Sequence, residues 1–485
     1  MEESVKKVSS EGFVNRLVAN VVINYRWVFV VLFLLPASFL YELWFHARNW
    51  LVFRLLSAPK AHDRKVQHVQ KQVQDWNRAG RKNLMCTARP TWLTMSFRHA
   101  KYKKTMTNIS VNLVDILELD SSKPSVRVEP LVTMGQLTAS LNPMGWSIPV
   151  VPELDDLTIG GLIMGAGIET SSHIYGLFQH TALAYELVMA DGSLVRCSKN
   201  ENPDLFYAVP WSHGTIGFLV AVELKIIPSK PYVRLTYVPC HSLEKLAKML
   251  EREIRNPDNE FVEGISYSLN SGVITMGKFA DKPRYTKNIN RIGSFYKPWF
   301  YTHVEGFLRE DVEATEYIPL RHYYHRHTKS LFWELEITQP PPVKRLYEKH
   351  HLLQDLLVPL SSLKSTLQLM DKETTLYPLW LCPFILPPHD GMVHPTGSRA
   401  EFYVDFGAYG NPKLPSFNPP ETTRRLEKHV RSVHGFQMMY ADTYMTRQEF
   451  WSMFDKNLYQ KVREKYDCLD AFPDVYDKVN KTVRE

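Results

Sequence analysis

The sequence predicts an α+β chain: strands paired as hairpins, then a region mixing longer strands with helices, all behind an apolar N-terminal helix. Three observations carry this reading. Alternating apolar and polar runs flank tight turns within 111–198. Strand-forming runs interleave with helical spacing through 229–430. Trp27–Tyr41, "WVFVVLFLLPASFLY", holds 15 residues without a charge.

Bulk composition sets the outer bounds. At 485 residues, 44% hydrophobic and 22% charged, the chain is an ordinary globular one with room for two or three domains. A net charge of +7 is modest at this length, and no basic stripe is interleaved with aromatics, so no nucleic-acid partner is expected. Cysteines 86, 197, 240, 382 and 468 are odd in number and lack C-x-x-C spacing. That pattern argues against a disulfide framework or zinc ribbon and for a reducing, cytosol-facing setting.

Taken in order, the uncharged run is short of the roughly 20 residues a spanning helix needs. "ELWFHARNWLVF" extends it, and no small-x-small cleavage site follows. Positions 48–82 carry nine Lys or Arg against Asp63 and Asp75, which favours a cytosolic body. The expectation is a single spanning or embedded anchor in contact with membrane lipid, with a buried core helix as the alternative. Val66, Val69, Val73 and Trp76 then fall at helical spacing, ending near Gly80. "SVNLVDILELD", "SSKP" and "SVRVEPLVT" read as a hairpin, and "TMGQLTASLNPMGWSIP" as a short helix closing at Gly145. "YELVMADGSLVRCS" is a second hairpin turning at Asp191-Gly192. A short helix, a glycine turn and a long strand ending at Pro228 follow. Beyond it, "PYVRLTYVPC", "FVEGISYSLNSGVITMGKF" and "AEFYVDFGAYG" read as strands. "LEKLAKMLEREIR" and "VKRLYEKHHLLQDLLVPLSSLKSTLQLM" read as helices, and the tail from Glu421 is helical around "FQMMYADTYM".

Between the hairpins lies "DLTIGGLIMGAGIETSSHIYG", with glycines at 160, 161, 165, 167 and 176. It is neither a dinucleotide fingerprint nor a phosphate loop ending in Gly-Lys-Ser/Thr. Small residues over 160–167 let backbone approach a ligand and turn amides toward an anion. With no lysine and only Glu169 charged, such a loop suits a diphosphate inside a larger cofactor, or is simply a packed turn.

The order of these marks decides between the two. Val126–Pro228 resembles the FAD-binding domain of the vanillyl-alcohol oxidase/p-cresol methylhydroxylase (PCMH-type) flavoproteins. It does so through "VRVEPLVTMGQL", "MGWSIPVVPELDDLTIGGLIMGAG", "ADGSLVR" and "DLFYAVPWSHGTIGFLVAVELKIIP". "YKKTMTNISVNLVDILELD", "YIPLRHYYHRHTKS", "YPLWLCPFILP" and "VRSVHGFQMMYADTYM" are similar to the delta-24-sterol reductases of the Diminuto type, from Arg26 onward. The resemblance implies an anchor over 1–55 and a PCMH-type two-subdomain FAD-binding domain over 56–228. It implies an α/β substrate or cap domain over 229–430, and a segment over 431–485 returning to the flavin domain. It further implies an endoplasmic-reticulum membrane enzyme that reduces the sterol side-chain double bond with FAD and NADPH. The alternatives are an aldonolactone- or alditol-type oxidase, or a sterol- and flavin-binding scaffold with weakened catalysis.

Carried onto this chain, the family's FAD contacts fall on three segments. The first is Arg89, Pro90, Thr91 and Trp92. The second is Thr158, Ile159, Gly160, Gly161, Leu162, Ile163, Met164, Gly165, Ala166, Gly167, Ile168, Glu169 and Thr170. The third is Gly214 with Gly217. Arg89–Ser96 contains no His, so FAD is expected to be non-covalent. No separate G-x-G-x-x-G unit is present, so NADPH must dock over the same ring. The family's Gly-Arg-Pro-Gly-Trp is "ARPTW" here, and a longer segment of the vertebrate members is shortened to "ITQPPPVK".

Alkene reduction needs a hydride at one carbon and an acid near the other. Tyr440, Asp442 and Tyr444 are the candidates, Tyr440 first as the acid. Glu153, Asp155 and Asp156 read as a solvated turn with a helix cap. His322, His325 and His327 read as a structural or basic surface segment, and their spacing does not favour a metal site.

Overall fold

The computed structural model describes residues 57–88, 101–285, 288–328, 351–414 and 416–484, with isolated positions between 36 and 55. The chain divides into two compact units, Met1–Ser57 with Gly293–Lys297, and Ala58–Ile292 with Pro298–Glu485. In the smaller unit the ring of Phe39 meets Phe295 edge-on at 5.8 Å. The expected anchor run lies outside the described residues except at Pro36, Phe39 and Leu40. Among the described residues no helix is long and apolar enough to cross a membrane.

The larger unit opens with α1 (His62–Arg78), which buries the predicted stripe Val66, Val69, Val73 and Trp76. Spacings of three and four put those side chains on one face, so the helix packs rather than standing free. β1 (Met85–Thr87) pairs in parallel with β2 (Thr107–Ile109). The first expected hairpin is β3 (Ile116–Asp120) against β4 (Ser125–Val128). In α2 (Met134–Leu141) the Thr133 hydroxyl accepts from the Gln136 amide, and Gly145 ends the following turn with φ 77°. β5 (Trp146–Ser147) leads into the glycine-rich segment, where Thr158 caps α3 (Ile159–Met164) through the Gly161 amide. β6 (Ala182–Val188) and β7 (Leu194–Ser198) form the second hairpin, and β8 (Phe218–Lys225) runs on to β9 (Ile227–Pro228). The sheet order is β3-β4-β8-β6-β7. Central β8 is buried almost throughout, which explains why its sequence is apolar without alternation.

A second sheet takes up β10 (Tyr232–Cys240), β11 (Phe261–Ser268), β12 (Ser271–Ala280), β13 (Ala314–Pro319), β14 (Leu352–Pro359), β15 (Leu379–Leu386), β16 (Glu401–Gly410) and β17 (Phe436–Gln437). Its eight strands are antiparallel, in the order β13-β10-β12-β11-β15-β16-β14-β17. One sequence expectation is corrected here. The helix read over 343–370 is a strand, β14, followed by α4 (Leu363–Thr374), while 343–350 lies outside the described residues. Leu352–Pro359 is a short apolar run that serves either element by pattern, and its pairing with β16 and β17 makes it a strand.

The C-terminal stretch forms α5 (Arg447–Met453), α6 (Asn457–Lys465) and α7 (Val475–Val479), and α6, α7 and the loop between them bond to β1 and to the turn before β8. Met85 N–H donates to Ala471 O at 2.7 Å. Buried Arg463 donates to the carbonyls of Thr215 (2.8 Å), Pro473 (2.7 Å) and Phe472 (2.9 Å). The fixed fork of guanidinium donors can satisfy several turn carbonyls at once.

The sheets are tied through one buried ion set. Arg326 donates to Glu169, in the glycine-rich segment, at 2.8 Å, and to Glu263, on β11, at 2.9 Å. All three side chains are essentially unexposed. Of the two readings of "HYYHRHTK", this favours the structural one and corrects the basic surface. Arg326 is core, His325 Nε2 lies 2.8 Å from Thr138 Oγ1, and the Tyr324 hydroxyl lies 2.8 Å from Ser147 Oγ. Removing the cation while leaving both carboxyls should cost about 3–5 kcal/mol. Arg326→Met is therefore expected to lower the melting temperature sharply, measured by tryptophan fluorescence at pH 7; an unchanged midpoint would contradict the clamp.

Candidate functional site

The glycine-rich segment is shaped first by its own chain. A Cβ on Gly160 would lie 2.8 Å from Pro130 Cβ, and one on Gly167 would meet Leu162 and Phe178 at 2.9 Å. These two glycines are demanded by packing rather than by a ligand. The turn before β8 is stitched to the segment, with His213 N–H donating to Met164 O at 2.7 Å and Trp211 N–H to Gly165 O at 3.2 Å. Trp211 and His213 hold left-handed φ of 66° and 49°, a local strain that those bonds maintain.

A cavity of about 230 Å3 opens along this wall. Thr158, Gly161, Leu162, Gly165, Ala166, Gly167 and Ile168 line one side. Leu353, Asp355, Trp380, Asp405, Tyr409 and Met438–Tyr440 line the rest, with Glu153 and His213. A second cavity of about 260 Å3 shares Glu153, Trp380 and Tyr409 with the first.

Strand register explains the acidic face. Asp355 on β14 lies opposite Gly407 on β16, and Asp405 lies two residues along β16 from Gly407, so both carboxyls leave the same side of the sheet. Tyr409, two residues further, donates its hydroxyl to Asp355 Oδ1. Its ring crosses Gly407, where a Cβ would fall 2.8 Å from the Tyr409 hydroxyl. Asp405 is fully buried, and neither of its oxygens has a hydrogen-bond partner among the described residues. Burial, with Asp355 and Glu153 nearby, holds the Asp405 carboxyl well above the usual carboxylate range. Burial raises Asp355 to about 7 against the Tyr409 hydrogen bond. Burial, reinforced by Glu169, pushes Glu153 up to about 8. The solvated turn expected at 153–156 is corrected at Asp155, which is buried, with Thr328 Oγ1 donating to it at 3.1 Å, while Glu153 and Asp156 are half-buried.

Other predicted positions fall elsewhere. Ile159, Gly160, Ile163, Met164, Glu169, Thr170, Gly214 and Gly217 do not line the cavity. Ile159 and Ile163 are core, Glu169 belongs to the Arg326 set, and the Thr170 hydroxyl lies 2.9 Å from that of Tyr323. Arg89–Trp92 lies outside the described residues. Of Tyr440, Asp442 and Tyr444, the cavity takes in only Tyr440, which is 39% exposed. Asp442 pairs with Lys481 at 2.7 Å, and Lys481 also sits 5.8 Å over the Tyr444 ring.

A family model described as an FAD binding domain matches residues 64–198. Human delta(24)-sterol reductase is 54% identical over 491 residues, covering 96% of this chain and 95% of the relative. The delta(24)-sterol reductase homolog of Caenorhabditis elegans is 46% identical over 508 residues, covering 96% of each chain. The chain belongs to the delta(24)-sterol reductase family. The same name is borne by an Arabidopsis thaliana relative, 37% identical over 524 residues and covering 95% of this chain and 92% of that one. A shorter similarity links 40% of the chain to 41% of mouse L-gulonolactone oxidase, at 23% identity.

The residues of this family member fit the cofactor its matched domain is named for. Among the described residues no acceptor takes the amides of Ala166, Gly167 and Ile168, all three of which line the cavity. Consecutive unengaged amides at a wall suit the oxygens of a diphosphate or the polar edge of a flavin ring.

The raised carboxyls set a pH dependence. A carboxyl whose folded pKa is raised gives stability that is whole below its unfolded value, about 4, and lost as pH rises through the folded value. For Asp355 (about 7) and Glu153 (about 8) the loss continues to about pH 8. The melting temperature is expected to fall between about pH 4 and 8, and Asp355→Asn to flatten that fall. A midpoint that rises with pH would contradict the protonated state.

Proposed function

We propose that this chain is a membrane-associated flavoenzyme that reduces the delta-24 double bond of a desmosterol-like sterol, with FAD as cofactor and NADPH as electron donor. The carrying observation is the cavity itself: amides without acceptors along one wall among the described residues, apolar side chains around it, and buried carboxyls opposite. Its Leu154, Leu157, Leu162, Ile168, Leu353, Met438 and Met439 suit a hydrocarbon side chain. Bound FAD in its reduced form supplies a hydride.

The protein does the rest. Thr158 and the 165–168 backbone hold the cofactor, with Arg89–Trp92 as a further segment against it. Leu353, Met438 and Met439 hold the alkene in place and keep water from it, and Tyr440 flanks the mouth. The uncharged run at 27–41 and the basic 48–82 segment support an anchor in the endoplasmic-reticulum membrane with the body in the cytosol.

A visible spectrum of the detergent-purified protein is expected to show bound, acid-releasable flavin. NADPH should bleach it anaerobically, and desmosterol should restore the colour. Restoration by oxygen alone would favour an oxidase, the activity named in the weaker L-gulonolactone oxidase similarity, and absence of flavin would exclude both.

A further inference from the structure

We infer that the buried carboxyl of Asp405 is the acid that protonates the substrate alkene. The inference rests on the sterol reductase reading above and assigns the proton that reading requires. Asp405 lines the cavity across from the glycine-rich wall, is fully buried, and makes no hydrogen bond among the described residues through either oxygen. An ionised carboxylate in that position has nothing to offset its desolvation, so the group keeps its proton. Asp355, whose Oδ1 accepts from the Tyr409 hydroxyl, occupies the same sheet face, and two carboxyls there disfavour ionising together. Tyr440 is the alternative at this cavity. It is well exposed, and a phenol is intrinsically a much weaker acid than a carboxylic acid.

The Asp405 O–H bond breaks, and the alkene π pair forms a C–H bond at the less substituted carbon. The positive charge left on the other carbon is filled by the two electrons of the hydride from reduced FAD. The alkene is reduced, the flavin is oxidised, and NADPH restores it. Asp405 is left as a carboxylate and regains a proton from solvent on the side of half-buried Glu153, which lines both cavities.

Asp405→Asn in the FAD-loaded protein tests this. Because Asp405 makes no hydrogen bond among the described residues, the near-isosteric amide should fold and hold FAD. Sterol-driven reoxidation of the reduced flavin is expected to fall by about 100-fold or more, the usual contribution of a positioned acid. Reoxidation at the unaltered rate with full FAD content overturns the assignment. Should the amide lose FAD, Asp405→Glu is compared with Asp405→Ala: faster reoxidation with Glu supports it, equal rates overturn it. Flavin-free protein gives an independent readout. The infrared carbonyl band of protonated carboxyls at pH 7 should be weaker in Asp405→Ala, and equal intensity overturns the neutral state. If the unaltered holoenzyme itself reduces no sterol, the functional reading fails together with this one.

Discussion

The contact among Arg326, Glu169 and Glu263 is the constraint on which the site depends. It draws on three distant stretches of chain: the glycine-rich segment, the turn after Leu320–Tyr324, and β11. Its worth lies in position more than in net stability, because desolvating three charged groups offsets much of their attraction. The surroundings limit that cost. Trp380 Nε1 donates to Glu263 at 2.7 Å, and the Tyr323 ring lies 4.6 Å under the guanidinium. With Val262 N–H donating to Thr170 O at 2.8 Å, the end of the glycine-rich segment is fixed against the eight-stranded sheet. The cavity is the space left between these two bodies of structure.

That space joins two opposed chemistries. One wall presents backbone donors and the other presents carboxyls whose ionisation burial opposes. Neither needs a formal charge at the surface of the cavity, so an apolar ligand meets little unfavourable field. Charge is placed outside it instead: on Arg326 with its two glutamates, and on Lys481 with Asp442.

How far the sequence carried follows from what each signal depends on. α1 was legible because its stripe is local and periodic, and both hairpins because their turns announce themselves. The Leu352–Pro359 run was misread because period alone does not separate a short buried strand from a helix, and strand pairing is a long-range fact. The polar site was harder. Asp155 reads as solvated among neighbouring acids, and "HYYHRHTK" reads as structural or basic surface alike, because charge predicts exposure unless a distant partner waits. Asp355 and Asp405 do leave a trace: each is a carboxyl in the interior of a largely apolar strand, "LLQDLLVP" and "EFYVDFGAYG". An acid in that setting is a mark of function as much as an irregularity of pattern.

Gly407 has a consequence beyond its own strand. Because the Tyr409 ring lies where a side chain at 407 would stand, three positions behave as one unit: a small residue at 407, a phenol at 409, an acid at 355. A larger residue at 407 displaces the phenol and strips Asp355 of its donor, while loss of the phenol leaves a gap that a larger 407 would fill. Substitutions at 407, 409 and 355 are therefore expected to have effects that do not add.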